Sequence, residues 1–251
     1  MDISSASLDG KWILITGAAK RIGAEITRTL QAHGANLAVH YRGSADAATR
    51  LAGELNAARP GSAIAIQADL LDTAHLPYLI GQIIDHAGRL DALVNNASSF
   101  YPTPVGRITE QDWSDLMGTN LKAPLFLAQA AAPHLRETEG AIVNIVDIHA
   151  TRPLGDHPVY GAAKAGLAML TRSLARDLAP AVRVNGVSPG AILWPDNDMS
   201  EATKNSIVKQ VPLKRAGEPR DIAECVLFLI RDARYVTGQV IAVDGGRSVG
   251  W

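Results

Sequence analysis

A single α/β domain over residues 1–251 is the fold this sequence predicts: a doubly wound parallel sheet of about seven strands with helices on both faces. Three observations carry it. Short, wholly apolar runs alternate with amphipathic segments, the pattern of strands buried on both faces and covered by helices. No Pro/Gly/Ser-rich linker or internal repeat interrupts the 251 residues, a length that suits one large layered domain. The residues with chemical potential cluster after the apolar runs, and in such sheets ligands bind beyond the carboxyl ends of the strands.

Taken in order, Trp12-Ile13-Leu14-Ile15 reads as the first buried strand. A helix from Ile22 to about Ala32 follows and Gly34 ends it. Asn36 to His40 is the second strand and an Ala-rich tract over about 45–58 the next helix. Ala63 to Gln67, a helix near 74–87 and the strand Ala92-Leu93-Val94 come next. A long helical tract runs from about Glu110 to Arg136, with Gly118 and Pro124 placed to bend or divide it. The fifth strand covers 141–146 with its helix near 158–179, and the sixth covers 182–187. The segment 191–211 lacks strand character and reads as a mobile flap over a substrate. A helix near 219–230 and a strand near 239–243 complete the chain.

Hydrophobic residues make up 47% of the chain, which excludes a disordered protein, and the net charge is −1. No basic excess recommends nucleic acid or an anionic membrane as a partner. The single cysteine, Cys225, excludes an internal disulfide and lies in an apolar helical pattern, so it reads as core. The start of the chain has no signal-peptide pattern and no apolar run approaches a membrane span, so a cytoplasmic setting is expected. The seven histidines show no metal-ligand spacing; His149 and His157 flank the site, but two loop histidines without a third ligand make no metal site, and no metal is expected.

The run Thr16-Gly17-Ala18-Ala19-Lys20-Arg21-Ile22-Gly23 follows the first strand and opens the first helix. Small residues there let the backbone approach a pyrophosphate at a helix N-terminus. Arg21 stands where a third glycine is expected, and its guanidinium can meet a phosphate, reach over the substrate or simply be solvated. After the second strand comes His40-Tyr41-Arg42-Gly43-Ser44, with no acid to bind a ribose diol. His40, Arg42 and Ser44 can instead meet a 2′-phosphate, so NADPH is expected over NADH. Asp69 can accept from an adenine amino group with Leu70 beside the ring, or cap a helix. Asn95-Asn96-Ala97, after the fourth strand, is expected next to the cofactor ribose.

Tyr160 and Lys164 sit four apart and share a helix face, so an ammonium beside the phenol is expected to lower its pKa. Asp147, at the end of the fifth strand and thirteen residues before Tyr160, completes a three-part proton-handling site.

With these pieces, and with Asn120, Ser188-Pro189-Gly190 and Val243-Asp244-Gly245-Gly246, the chain resembles the short-chain dehydrogenase/reductase family over nearly its whole length. That resemblance implies a Rossmann-type domain in which Tyr160 is the proton donor and Lys164 lowers its pKa and holds the nicotinamide ribose. It implies that Asn120 supports a water relay to Lys164 and that Pro189, Gly190 and Ile192 flank the nicotinamide. One departure is Asp147, where the usual family member carries a substrate-binding Ser. A carboxylate would repel the alkoxide that forms from a ketone and suits a substrate with N–H donors, unless the Asp is only a structural strand end.

Within the family the local sequences look like pteridine reductases, in the glycine run, in Val146-Asp147 with Tyr160, and in Asn95-Asn96-Ala97-Ser98-Ser99-Phe100-Tyr101-Pro102-Thr103-Pro104. By that resemblance Phe100 stacks on a pterin against the nicotinamide, a reasonable contact for a flat heteroaromatic ring, the plain alternative being a core Phe. Ser98 and Arg21 are then polar contacts to the pterin or the cofactor phosphates. Trp194 can line the flap or anchor an exposed loop. The resemblance implies a pterin or folate substrate and a homotetramer, in which a C-terminal residue of a neighbouring subunit reaches the site. Trp251 could be that residue here, though better-known relatives carry Arg near this point. The competing readings are a carbonyl or 3-oxoacyl-thioester reductase and a non-catalytic NADPH-sensing scaffold. Asp147 and Phe100 speak against the first, and the Tyr160, Lys164 and Asn120 set against the second.

Overall fold

The computed structural model describes residues 7–192 and 200–249. Seven parallel strands form one sheet: β1 (Trp12–Ile15), β2 (Asn36–Tyr41), β3 (Ala63–Gln67), β4 (Ala92–Asn95), β5 (Ala141–Ile145), β6 (Arg183–Pro189) and β7 (Val240–Val243). Their order across the sheet is β3-β2-β1-β4-β5-β6-β7. The register is in step, with Ile13 opposite Leu37 on one side and Ala92 on the other. Strand order reverses between β1 and β4, which opens a crevice at their carboxyl ends.

The helices α1 (Arg21–Ala32), α2 (Ala45–Ala58) and α3 (Leu76–Ala87) alternate with the first strands. They are followed by α4 (Glu110–Met117), α5 (Ala123–Glu137), α6 (Pro158–Leu178), α7 (Glu201–Lys209) and α8 (Pro219–Arg231). Side-chain alternation along the strands builds the two faces. Ile13, Ile15, Leu37, Val39, Val94 and Val143 pack with Ile26, Leu30, Leu51, Ile222 and Val226 of α1, α2 and α8. On the other face Leu14, Ala38, Leu93, Ile142 and Val184 meet Leu79, Ile83, Leu127, Ala131 and Leu178 of α3, α5 and α6.

The predicted division of the long tract falls at a π-helical segment, Gly118–Lys122, with Gly118 pressed on Leu71: a Cβ at Gly118 would stand 2.5 Å from the Leu71 Cδ2 atom. α4 is capped by Thr109, whose hydroxyl accepts from the Asp112 amide while the Asp112 carboxylate accepts from the Thr109 amide. The segment predicted as a flap contains α7, which has no buried residue; its residues 193–199 lie outside those described, Trp194 among them. Cys225 packs on the first core, where burial pushes its thiol up to about 11. Among the described residues no helix is long and apolar enough to cross a membrane, and no group of three or more His, Cys, Asp or Glu could hold a metal ion.

Candidate active site

Two adjoining cavities open at the strand reversal. The larger, of about 380 Å³, is lined by Gly17, Lys20, Arg21, Ile22, Gly23, His40, Arg42, Asp69, Leu70, Asn96, Ala97 and Ser98 among others. The turn that shapes it closes only with glycine. Gly17 has φ +61°, and a Cβ there would stand 2.9 Å from the Ala97 Cα, while one at Gly23 would meet the Gly17 carbonyl oxygen at 2.4 Å. Asn96 binds the turn from β4: its Nδ2 donates to the Thr16 and Gly17 carbonyls at 2.8 and 3.1 Å. The Thr16 hydroxyl accepts from the Asn96 and Ala97 amides, each at 3.0 Å. The position where a glycine is expected is a conformational glycine site in fact, since Arg21 has φ +54° and still opens α1.

His40 departs from the expected role. The Gly17 amide donates to its Nδ1 at 3.1 Å, so the proton sits on Nε2, which donates to the Ala68 carbonyl at 3.1 Å. Both ring nitrogens are taken and the residue is 2% exposed, so His40 clamps the glycine turn and its ring does not meet a phosphate. Burial lowers its pKa to about 4, so it is neutral at pH 7. Tyr41 likewise turns its side chain into the first core. Ser44 is the N-cap residue of α2 with its hydroxyl making no cap bond. Arg42 remains, exposed and lining the cavity. Asp69 caps no helix; its carboxylate accepts from the Leu71 amide at 3.0 Å and lines the cavity with Leu70.

The smaller cavity, of about 240 Å³, gathers the other predicted residues. Arg21, Ser98, Phe100, Asp147, Tyr160, Lys164, Pro189, Gly190 and Ile192 all line it. Tyr160 donates from its hydroxyl to Asp147 Oδ2 at 2.7 Å. Asp147 Oδ1 accepts from the His149 amide at 2.8 Å and so caps the short helical turn Ile148–Ala150. Asp147 is therefore both a structural cap and a cavity group. Lys164 is 2% exposed and donates to the Ile145 carbonyl at 2.9 Å, with Nζ 5.7 Å from the centre of the Tyr160 ring.

The expected depression of the Tyr160 pKa is reversed. Burial first, then the charge and hydrogen bond of Asp147, hold the phenol well above its ordinary value, with the Ser98 hydroxyl acting the other way. Lys164 does not offset this: its Nζ is turned to the Ile145 carbonyl, and burial lowers its own pKa to about 8 against the pull of Asp147. Asn120, in the π-helical segment, commits its side chain to the protein. Nδ2 donates to the Ser99 and Leu116 carbonyls, each at 2.9 Å, and Oδ1 accepts from Ser98 at 2.7 Å. Phe100 is no core residue: it is 49% exposed, stacked on His157 and edge-on to Tyr160. That His157, expected only to flank the site, stacks on Phe100 was not legible, since nothing in local spacing pairs residue 157 with residue 100. Nor was the buried chain from Asn95 to Asn144 to Thr171, at 2.8 and 2.9 Å, which ties β4 and β5 to α6 beneath the site.

A doubly wound sheet with a glycine turn at its reversal and a buried Tyr-Lys pair beside a strand-end carboxylate defines a nucleotide-type α/β oxidoreductase class. Residues 17–248 match the family model described as enoyl-(acyl carrier protein) reductase, and the chain belongs to the short-chain dehydrogenase/reductase family. It is 39% identical over 277 aligned residues to pteridine reductase 1 of Leishmania tarentolae, covering 94% of this chain and 96% of the relative. It is also 39% identical over 240 residues to the 3-oxoacyl-(acyl-carrier-protein) reductase FabG of Staphylococcus epidermidis, covering 94% and 98%. The same enzyme of Staphylococcus aureus gives 39% with 94% and 97%.

Proposed function

We propose that this protein is an NADPH-dependent pteridine reductase that converts a dihydropterin (dihydrobiopterin, dihydromonapterin or dihydrofolate) to its tetrahydro form. The observation that carries the reading is the Tyr160 hydroxyl held by Asp147 at 2.7 Å beside the half-exposed ring of Phe100. A carboxylate in that place opposes alkoxide formation and welcomes N–H donors, and the aromatic ring suits a flat heterocycle.

The larger cavity fits the cofactor. Its glycine turn would be filled by any Cβ, its helix start has no side-chain cap, and Lys20, Arg21 and Arg42 bring positive charge against one lining acid, Asp69. The uncapped amides of α1 would hold the pyrophosphate, Arg42 with Ser44 the 2′-phosphate, and Asp69 with Leu70 the adenine. Asn96, Ala97 and Ser98 would lie along the ribose, Lys164 and Tyr160 at the nicotinamide ribose, and Pro189, Gly190 and Ile192 at the nicotinamide. Bound there, NADPH supplies a hydride.

The chain's own residues manage the proton. Asp147 Oδ2 orients the Tyr160 hydroxyl, and burial with the Asp147 contact holds the proton on that phenol. With a dihydropterin bound, the proton would reach N5 by way of water; with a fully oxidised pterin it would go to N8, served by Tyr160 with Asp147. Asn120, its side chain fixed by Ser98, Ser99 and Leu116, holds the backbone of the π-helical segment in place for a water leading to Lys164. The polar contacts to the ring fall to Arg21 and Ser98.

The near-equal identity to 3-oxoacyl-(acyl-carrier-protein) reductases favours a second reading, reduction of a 3-oxoacyl thioester. NADPH oxidation measured with 7,8-dihydrobiopterin, 7,8-dihydrofolate and a 3-oxoacyl thioester separates the two. Turnover of a dihydropterin at kcat/KM above that for the thioester supports the first, and the reverse order overturns it. Sedimentation of the same sample tests the homotetramer.

A further inference from the structure

We propose that His157 is a positioning residue that sets the preference of the site for flat ring substrates, by holding Phe100 in its stacking pose. The inference rests on the flat-ring reading above and names how the site enforces it. The His157 and Phe100 rings are parallel within 14° with centroids 4.7 Å apart. Phe100 also stands edge-on to Tyr160, at 4.8 Å and 77°. The imidazole is thus stacked against Phe100, while 49% of the residue stays exposed. Phe100 lines the smaller cavity, and His157 is not among the residues that line it.

His157 is itself fixed. Its Nδ1 donates to the Gly155 carbonyl at 2.6 Å, and its own carbonyl accepts from Gly161 at the start of α6. The loop bearing Phe100 is joined to the same place a second time, where the Thr103 amide donates to the Asp156 carbonyl at 2.6 Å. Asp156 holds φ +58°, a backbone state uncommon for a non-glycine residue. A half-exposed aromatic residue on a loop would otherwise sample several rotamers, and a ring that must be ordered by its substrate binds that substrate more weakly. The stack removes that cost in advance.

The test is steady-state kinetics of the full chain with NADPH and a 7,8-dihydropterin. His157→Ala is expected to raise KM for the dihydropterin about two- to tenfold, the range of an aromatic pair, with a smaller change in kcat and in NADPH affinity. His157→Tyr, which restores a flat ring at the same position, is expected to bring KM back toward wild type. An unchanged KM in His157→Ala, a rise that His157→Tyr does not reverse, or an equal loss of NADPH affinity overturns the proposal. Absence of dihydropterin turnover by the wild type sinks the pteridine reductase reading separately. The inference is then read from the Kd of a 2,4-diaminopteridine: weakening in His157→Ala that His157→Tyr reverses sustains it, and no binding or no weakening overturns it.

Discussion

Replacing Asp147 by Asn changes shape least and charge most, and the two oxygens of Asp147 make its outcome specific. Oδ1 takes the His149 amide and Oδ2 the Tyr160 hydroxyl. An amide offers one acceptor for these two donors. If its oxygen stays with His149, the NH2 group faces Tyr160, which must accept instead of donate and loses its orientation. If the oxygen turns to Tyr160, the NH2 group opposes the His149 amide and the short helical turn loses its cap. A hydrogen bond to a charged group contributes about 1.5–3 kcal/mol, so the first arrangement lowers kcat/KM for dihydropterin about 10- to 100-fold. The second costs about 1 kcal/mol of stability, or about 2–4 °C in Tm for a domain of this size. Either way the Tyr160 pKa falls, because the carboxylate that raises it is gone. The assay pairs NADPH-oxidation kinetics with NADPH titration by fluorescence. Full kcat/KM in Asp147→Asn, or a parallel loss of NADPH affinity, would refute the reasoning. Asp147→Ser adds a discriminating arm: gain of activity on a 3-oxoacyl thioester with loss on dihydropterin identifies this position as the selector between the two chemistries.

Three further outcomes concern the titrating and charged side chains of the two cavities. His40 titrates at about 4 folded against an ordinary 6.5, so its folded pKa is depressed, and the stability it supports is full above pH 6.5 and lost as pH falls toward 4. That is about 3 kcal/mol over the window, and urea denaturation at pH 7, 5.5 and 4.5 should show a drop that His40→Asn largely removes; an identical drop in the variant counts against it. Lys164 is also depressed, to about 8 from 10.5, so its buried ammonium costs stability below pH 8 and the cost fades as pH rises toward 10.5. Lys164→Met should therefore be more stable than wild type at pH 7, the advantage shrinking by pH 10, while turnover is lost; a variant less stable at pH 7 by thermal melting refutes this. Finally, Arg42→Ala should lose about 10- to 100-fold in NADPH affinity with NADH affinity nearly constant, and equal effects on both would remove the 2′-phosphate from Arg42.

What the sequence made legible is what depends on local pattern. Strands such as Trp12–Ile15 and Ala63–Gln67 and the helix Ala45–Ala58 fall where periodicity puts them, because burial on a sheet face imposes that periodicity. α7 escaped notice for the same reason in reverse: none of its residues is buried, so it carries no apolar stripe to read. The π-helical segment was visible only as Gly118 and Pro124; the close approach of Leu71, from the turn after β3, to Gly118 was not readable from either. At the site, residue identity told which groups meet but not which atoms they spend on one another. His40 looked like a phosphate ligand because a histidine at the end of β2 can be one; only the Gly17 amide and the Ala68 carbonyl, 23 residues before it and 28 after, fix its tautomer and take both nitrogens. The Tyr160 pKa shows the same limit. Helical spacing brings Lys164 to the phenol, and spacing alone predicts a lowered value. Burial and a carboxylate thirteen residues away act on the same proton with the opposite sign, and at low effective dielectric the nearer contact wins: Asp147 at 2.7 Å against an ammonium turned toward Ile145. A cation brought beside Tyr160 would shift that balance back, so the acidity of this phenol is set by what occupies the cavity as well as by the chain around it.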